Sequence, residues 1–132
     1  LLLAFGVASV LGTVWLARRM EIVDHESHPV HLSAALSRYW LKLMREIVVE
    51  CCAVAQADGV ALPDAGALYD AALQLGQAMS PATSSTEQDL ARGKRTEIGS
   101  LNGYVARRGA ALGVPTPANR ALTTLVLLRE TS

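Results

Sequence analysis

The chain has 132 residues, and its 12 Lys and Arg balance its 12 Asp and Glu, so the formal net charge is zero. This balance excludes a protein that binds nucleic acid or an anionic membrane through bulk charge. Hydrophobic residues make up 51% and aromatic residues only 5%, which excludes a disordered chain and favours helices rich in Ala and Leu. The length predicts one ordinary domain, spanning residues 1–132, with its own core.

The first segment, Leu1–Ala17, carries no charge, and Arg18 and Arg19 follow it. Basic residues after the apolar run, rather than before it, argue against a signal peptide. We predict a helix buried within a soluble protein; a short membrane span is the alternative, because the run is at the lower limit of length for one. The first residue is Leu rather than Met, which we interpret as a sign of a longer protein or a processed product.

The two cysteines, Cys51 and Cys52, are adjacent in the sequence. Neighbouring residues rarely satisfy the geometry of a disulfide bond, so we predict two free thiols, one of them facing the core. The absence of a disulfide framework favours a reducing, cytoplasmic location.

A group of three histidines, His25, His28 and His31, lies close to Asp24 and Glu26. Histidines and carboxylates are zinc ligands, but the spacing does not match the helical His-Glu-x-x-His arrangement, and a proline interrupts any regular face. We predict a solvated polar loop and no metal site.

Apolar residues at helical spacing predict five further helices, which makes an all-α fold of about six helices. Their predicted bounds are about 33–58, 63–79, 86–93, 96–112 and 117–129. The stripe predicted for the first of these five consists of Leu36, Trp40, Leu43, Ile47, Cys51 and Val54.

The boundaries of these helices follow from residues with known preferences. Glycines that accept the left-handed conformation predict helix ends at Gly59, Gly93 and Gly113. Prolines predict first helical positions at Pro63 and Pro117, and Thr116 is predicted to cap the last helix. On that last helix, Leu122, Leu125 and Leu128 are predicted to face the core. Asn102 falls inside a predicted helix, where it would need a specific hydrogen bond.

Four short motifs occur in a fixed order between residues 85 and 119. They are Ser-x-x-Gln-Asp from Ser85, Thr-Glu-Ile from Thr96, Asn-Gly from Asn102, and Gly-Val-Pro-Thr-Pro-x-Asn from Gly113. Together they resemble the C-terminal helical domain of the ketopantoate reductase (2-dehydropantoate 2-reductase) family over about residues 36–128. Residues 1–33 match least well. The resemblance implies the helical fold of the C-terminal domains of 6-phosphogluconate-dehydrogenase-like reductases.

The resemblance also implies a function. In this family an N-terminal Rossmann domain binds NADPH, and a hydride passes to the C2 ketone of ketopantoate, which yields pantoate for the synthesis of pantothenate and coenzyme A. Ser85 matches the residue that binds the 2-keto acid, and Glu97 matches the glutamate that faces the cofactor. Ser84, Asp89 and Asn102 match supporting positions. A homodimer is a further implication.

Two family features are missing from this sequence. No Gly-x-Gly-x-x-Gly follows a predicted strand, so the Rossmann domain is absent from the chain. The proton-donating lysine of the family would fall at the start of Leu1–Ala17, but the two lysines of the chain are Lys42 and Lys94. Either the lysine precedes Leu1 or this member has diverged toward another substrate.

We therefore expect the helical domain of an NADPH-dependent reductase, with no catalytic residue inside the chain and no activity for the chain alone. Its expected partners are a small 2-keto acid and the Rossmann domain, and a nucleic acid or a membrane is not expected. The alternative is a catalytically silent helical domain that serves in dimerisation or interaction.

Overall fold

The computed structural model describes residues 31–78 and 85–131 of the chain. These residues form five helices, which we number in chain order: α1 His31–Ala57, α2 Ala65–Ala78, α3 Ser85–Ala91, α4 Asn102–Leu112 and α5 Pro117–Glu130. The described ranges contain no strand, and the prediction of an all-α fold is confirmed. The first predicted helix, Leu1–Ala17, lies outside these ranges. None of the described helices has the length and apolar character that a membrane span requires.

The long helix α1 lies at the centre and uses two faces. On one face Ile47 packs in a cluster with the buried residues of α5 and with Ile98, which precedes α4. On the other face Met44 and Val48 pack with Ala72 of α2. The predicted stripe is confirmed at Ile47 and Val54, which are almost fully buried, but the stripe accounts for only the first of the two faces.

Three helices end in the same way, at the glycines predicted to stop them. Gly59, Gly93 and Gly113 have φ angles of 75°, 64° and 71°. In each case the amide after the glycine donates to the carbonyl five residues earlier, from Val60 to Ala55, Lys94 to Asp89 and Val114 to Gly109, all at 2.8 Å. A glycine adopts this left-handed conformation without the steric cost of a side chain, so the three stops are encoded locally.

The start of α2 differs from the prediction. Pro63 is not a helical residue, because the helix begins at Ala65. The carboxylate of Asp64 accepts hydrogen bonds from the amides of Gly66 at 2.9 Å and Ala67 at 3.1 Å. Asp64 is thus the N-cap, since its side chain satisfies amides that have no partner within the helix.

The start of α4 also differs, because the helix begins at Asn102 rather than at Thr96. Residues 97–101 form a separate turn, in which the amides of Ser100 and Leu101 both donate to the carbonyl of Glu97. Leu101 has φ −97° and ψ −98°, outside helical values, and this residue separates the turn from the helix.

The buried face of α5 is only partly the one predicted. Leu122 is buried as expected, but Leu125 and Leu128 are 51% and 60% exposed, so their assignment to the core is wrong. The residues of α5 that face α1 and α4 are instead Ala118, Asn119, Leu122 and Val126. Ala118, Leu122 and Val126 are spaced four residues apart, and Asn119, three residues before Leu122, adds a polar side chain to the same face, which a search for apolar periodicity passes over.

Candidate functional site

The turn of residues 97–101 places Glu97 at the surface on a well-anchored backbone. Immediately after Glu97, the side chain of Ile98 is 3% exposed and packs against Ile47 and Leu122. The carbonyl of Ile98 accepts a hydrogen bond from the amide of Gly103 at 3.0 Å, which ties the turn to the start of α4. Glu97 itself is exposed. The buried side chain of Ile98 therefore fixes the backbone on the C-terminal side of Glu97.

The backbone on the N-terminal side of Glu97 is held by Glu130, at the end of α5. The amide and the hydroxyl of Thr96 both donate to Oε1 of Glu130, at 2.8 Å and 2.5 Å. These hydrogen bonds, first from the side chain and then from the backbone of Thr96, lower the pKa of the Glu130 carboxyl, and the positive charge of Arg95 lowers it further. Glu130 is therefore a charged acceptor that secures the residue directly before Glu97.

Two more hydrogen bonds stiffen the same turn. The amide of Ile98 donates to Oγ1 of Thr96 at 3.3 Å. Nη2 of Arg107 donates to the carbonyl of Gly99 at 3.0 Å. Within the described ranges, the Glu97 carboxylate has no hydrogen bond or ion pair of its own. A turn with several hydrogen bonds of its own thus presents an exposed carboxylate whose hydrogen-bonding capacity is not used by the described residues.

Behind this turn lies a buried chain of polar side chains. Asn102 and Asn119 are both fully buried, and Nδ2 of Asn102 donates to Oδ1 of Asn119 at 3.0 Å. Nδ2 of Asn119 in turn donates to Oε2 of Glu50 at 2.7 Å. The prediction that Asn102 makes a specific hydrogen bond is confirmed, although Asn102 is the first residue of α4 rather than an interior one.

The carboxylate of Glu50, on α1, also caps α5. Its two oxygens accept hydrogen bonds from the amides of Ala118 at 2.8 Å and Asn119 at 2.9 Å. Thr116 was the predicted cap, but it makes no such hydrogen bond, and its side chain is buried. A charged carboxylate is the stronger acceptor for helix amides and also complements the positive end of the helix dipole.

Ser85 is the first residue of α3 and is exposed. No hydrogen bond among the described residues joins Ser85 to the turn that carries Glu97. The carbonyl of Asp89, another residue of the Ser85 motif, accepts the amide of Lys94 and helps to end α3. Ser84 lies outside the described residues. The binding roles of Ser85 and Glu97 therefore remain predictions.

Glu50, Asn119 and Glu130 join the elements around the turn, although none of them is among the residues predicted from the sequence to have a role. Glu50 interrupts the apolar stripe between Ile47 and Val54, and a carboxylate in that position is a signal that could have been used. Glu130 offers no comparable signal, because its partner Thr96 lies 34 residues away in the sequence.

The two cysteines are free, as predicted, and each is partly buried. Burial, together with the charges of Cys52 and Glu50, raises the pKa of Cys51 to about 12. Its Sγ lies 3.9 Å from Oδ1 of Asn119, in hydrogen-bonding geometry. Across residues 31–78 and 85–131 no three His, Cys, Asp or Glu side chains are grouped as metal ligands. The loop with His25 and His28 lies outside those ranges.

Comparison with known proteins places this helical domain in a family. Residues 31–130 match the family described as ketopantoate reductase PanE/ApbA C terminal. The chain is 39% identical over 94 residues to the 2-dehydropantoate 2-reductase of Pyrobaculum aerophilum. The matched region covers 71% of the chain and 33% of that protein. The chain is 38% identical over 86 residues to the enzyme of the same name from Caulobacter vibrioides, covering 64% and 29%.

A solved structure agrees with this result. The crystal structure of a PanE/ApbA family ketopantoate reductase from Ralstonia eutropha JMP134 matches with a TM-score of 0.66 and 39% identity, over 96% of this chain and 40% of that one. The chain therefore belongs to the ketopantoate reductase family and corresponds to its C-terminal domain, as the four motifs indicated. It spans about a third of the length of the curated relatives that it matches.

Proposed function

We propose that this chain is the substrate-side domain of an NADPH-dependent reductase that converts ketopantoate to pantoate, for the synthesis of pantothenate and coenzyme A. The observation that carries the proposal is the exposed carboxylate of Glu97, held on a rigid turn within the family's Thr-Glu-Ile motif. The similarity to enzymes named 2-dehydropantoate 2-reductase supports the substrate class. A cytoplasmic, dimeric enzyme is part of the same proposal.

Each proposed site residue has a physical task. The hydroxyl of Ser85 would donate a hydrogen bond to the 2-keto acid and so orient its ketone. The carboxylate of Glu97 would accept hydrogen bonds from groups that a second domain brings to it. A proton must also reach the oxygen of the reduced ketone, and we assign that task to a lysine that is not among these 132 residues, since Lys42 and Lys94 match no such position.

The residues present are compatible with a cofactor held mainly elsewhere. NADPH carries negative phosphates and hydroxyl-bearing sugars, and the exposed carboxylate of Glu97, which has no side-chain partner among the described residues, suits the hydroxyls rather than the phosphates. When bound, NADPH supplies the hydride. The role of Glu97 would be to fix the position of the hydroxyls or of a neighbouring cationic group, with the Rossmann domain holding the phosphates.

The test is the NADPH-dependent reduction of ketopantoate by the full-length protein that contains this chain. We expect Ser85→Ala mainly to raise the KM for the keto acid, and Glu97→Gln to lower kcat/KM by about a hundredfold. Glu46→Gln is the matched control, because Glu46 is an exposed carboxylate on α1 that forms an exposed pair with Lys42 on the same helix. Turnover of Glu97→Gln equal to that of Glu46→Gln would refute the role of Glu97.

A catalytically silent helical domain for dimerisation or interaction is the second candidate. The absence of lysine from Leu1–Ala17 favours it, as do the exposed leucines Leu125 and Leu128 on α5. A full-length protein that neither binds NADPH nor reduces any short 2-keto acid, yet self-associates, would support this candidate over the reductase.

A further inference from the structure

We infer that Glu130, at the end of α5, is a positioning residue for Glu97. The inference rests on the proposed function of Glu97 and names the group that holds it in place. Glu130 does not act on Glu97 directly. It acts through Thr96, whose amide and hydroxyl converge on the same oxygen, Oε1, at 2.8 Å and 2.5 Å.

The turn around Glu97 depends on two unlike anchors. On the C-terminal side, Ile98 is buried in the core and needs no polar contact to stay there. On the N-terminal side, residues 94–96 belong to no helix, and Lys94 and Arg95 are exposed. The amide of Lys94 ties the start of this segment to Asp89 of α3, and the two hydrogen bonds of Thr96 to Glu130 tie its end to α5. Losing the hydrogen bonds to Glu130 would free the backbone directly before Glu97.

The geometry also explains why a carboxylate occupies this position. One oxygen must accept two donors at once, and a charged oxygen does so more strongly than a neutral one. The hydroxyl of Thr96 accepts the amide of Ile98 while it donates to Glu130, so the three residues form one connected set on both sides of Glu97. The position of Glu97 is therefore coupled to the end of α5.

The experiment compares variants of the full-length protein by kcat, by KM for NADPH and ketopantoate, and by thermal midpoint. We expect Glu130→Ala to lower kcat/KM by about tenfold or more. The loss should fall on the same constant, kcat or KM, as the loss in Glu97→Gln. Glu130→Gln, which keeps an acceptor of the same shape, should lower it by only about threefold. Arg129→Ala, at the exposed neighbouring position, is the control and should stay within about twofold of the wild type.

A double variant separates positioning from a purely structural role. If Glu130 acts through Glu97, the variant carrying both Glu97→Gln and Glu130→Ala should be within about twofold of Glu97→Gln alone. The partner residue offers an independent test that keeps Glu130 intact. Thr96→Val, which removes the hydroxyl but keeps the amide donor, should lower kcat/KM in the same direction as Glu130→Ala but by less. Thr96→Ser, which keeps the hydroxyl, should stay near the wild type.

The outcomes are distinguishable. A slow Glu97→Gln with a normal Glu130→Ala, or a double variant in which the two losses multiply, overturns the inference about Glu130 and leaves the proposed function standing. Normal turnover in Glu97→Gln overturns the proposed role of Glu97 and the inference with it. If Glu130→Ala does not fold, Thr96→Val and Thr96→Ser decide, and equal turnover of these two overturns the inference.

Discussion

At the scale of single residues, the buried carboxylate of Glu50 has a structural role that its residue type does not predict. Glu50 is a carboxylate on the central helix, 9% exposed, and it accepts the amides of Ala118 and Asn119 together with the side chain of Asn119. A buried charge is costly unless it is fully hydrogen-bonded, and here three donors satisfy it. One side chain thus joins α1 to the start of α5.

We predict that Glu50→Ala lowers the free energy of unfolding by about 3 kcal/mol, because it leaves buried donors without an acceptor. Urea denaturation of the full-length protein measures the loss. The matched control is Glu46→Ala on the same helix, where the exposed pair with Lys42 at 3.9 Å should contribute less than about 0.5 kcal/mol. Equal losses for the two variants would refute this account of Glu50.

Gly109 lies where α4 closely approaches the loop before α5. A Cβ at this position would lie 2.7 Å from Cγ2 of Thr116 and 2.8 Å from the carbonyl oxygen of Val114. We expect Gly109→Ala to lower the free energy of unfolding by about 2 kcal/mol, because the loop before α5 would have to move. Gly99→Ala is the control, since a Cβ there meets nothing within 4 Å. An unfolding midpoint for Gly109→Ala no lower than that of the control would contradict this prediction.

Cys51 is predicted to be unreactive in the folded protein. Its pKa of about 12 against an ordinary 9.0 means that the fraction of reactive thiolate at neutral pH falls by roughly a thousandfold. Burial raises the pKa of Cys52 as well, but Cys52 is less buried than Cys51. We therefore expect iodoacetamide to label Cys52 before Cys51. Mass spectrometry of the labelled peptides measures both rates, and labelling of Cys51 at the rate found in urea would be inconsistent with its burial.

The same shift gives Cys51 a defined effect on stability. The folded state keeps the proton more tightly than the unfolded chain, so the stability is fully present below pH 9 and falls as the pH rises from about 9 to about 12. Cys51→Ala should remove this alkaline loss relative to the wild type.

At the scale of elements, the ends of helices were easier to predict than their starts. An end needs only a glycine that tolerates positive φ, and Gly59, Gly93 and Gly113 all supply it. A start depends on which acceptor reaches the free amides. Asp64 is adjacent in the sequence to the helix that it caps, whereas Glu50 reaches α5 from 68 residues away. The second kind of partner cannot be found from local patterns.

An ion pair between elements predicts a response to acid. Nε of Arg108 donates to Oδ2 of Asp58 at 2.9 Å, and Nη2 contacts the other oxygen, which ties the end of α1 to α4. These hydrogen bonds hold the pKa of Asp58 below its ordinary 3.8. The contribution of the pair to stability is thus present above that value and is lost as the pH falls through the lower, folded pKa.

We expect the wild type to lose stability more steeply than Asp58→Asn as the pH falls below 3.8. Urea denaturation at several pH values checks this, with Glu46→Gln as the control, because Glu46 belongs to an exposed pair and should follow the wild type. Parallel curves for the wild type and Asp58→Asn would show that the ion pair does not contribute.

At the scale of the whole molecule, this chain is one part of a larger family architecture. Its relatives named 2-dehydropantoate 2-reductase are about three times as long as the region they share with it. Under the proposed function, the isolated chain should not oxidise NADPH with ketopantoate, since it has no Gly-x-Gly-x-x-Gly motif to hold the phosphates. A spectrophotometric assay of the isolated chain, run in parallel with the full-length protein, tests this. Turnover by the isolated chain would refute the assignment of NADPH binding to another domain.

The amino-acid sequence by itself determined the all-α class, the ends of three helices, the burial of Ile47 and Leu122, and, through four ordered motifs, the family. These features depend on local conformational preference, periodicity or short motifs, all of which are visible within a few residues.

Only the tertiary structure decided that Leu125 faces outward, that Glu50 caps α5, and that Glu130 holds the segment before Glu97. The physical reason is common to all three. Which face of a helix is buried, and which acceptor meets a buried donor, depend on how distant helices cross, and that arrangement is settled by packing over the whole chain rather than by any single segment.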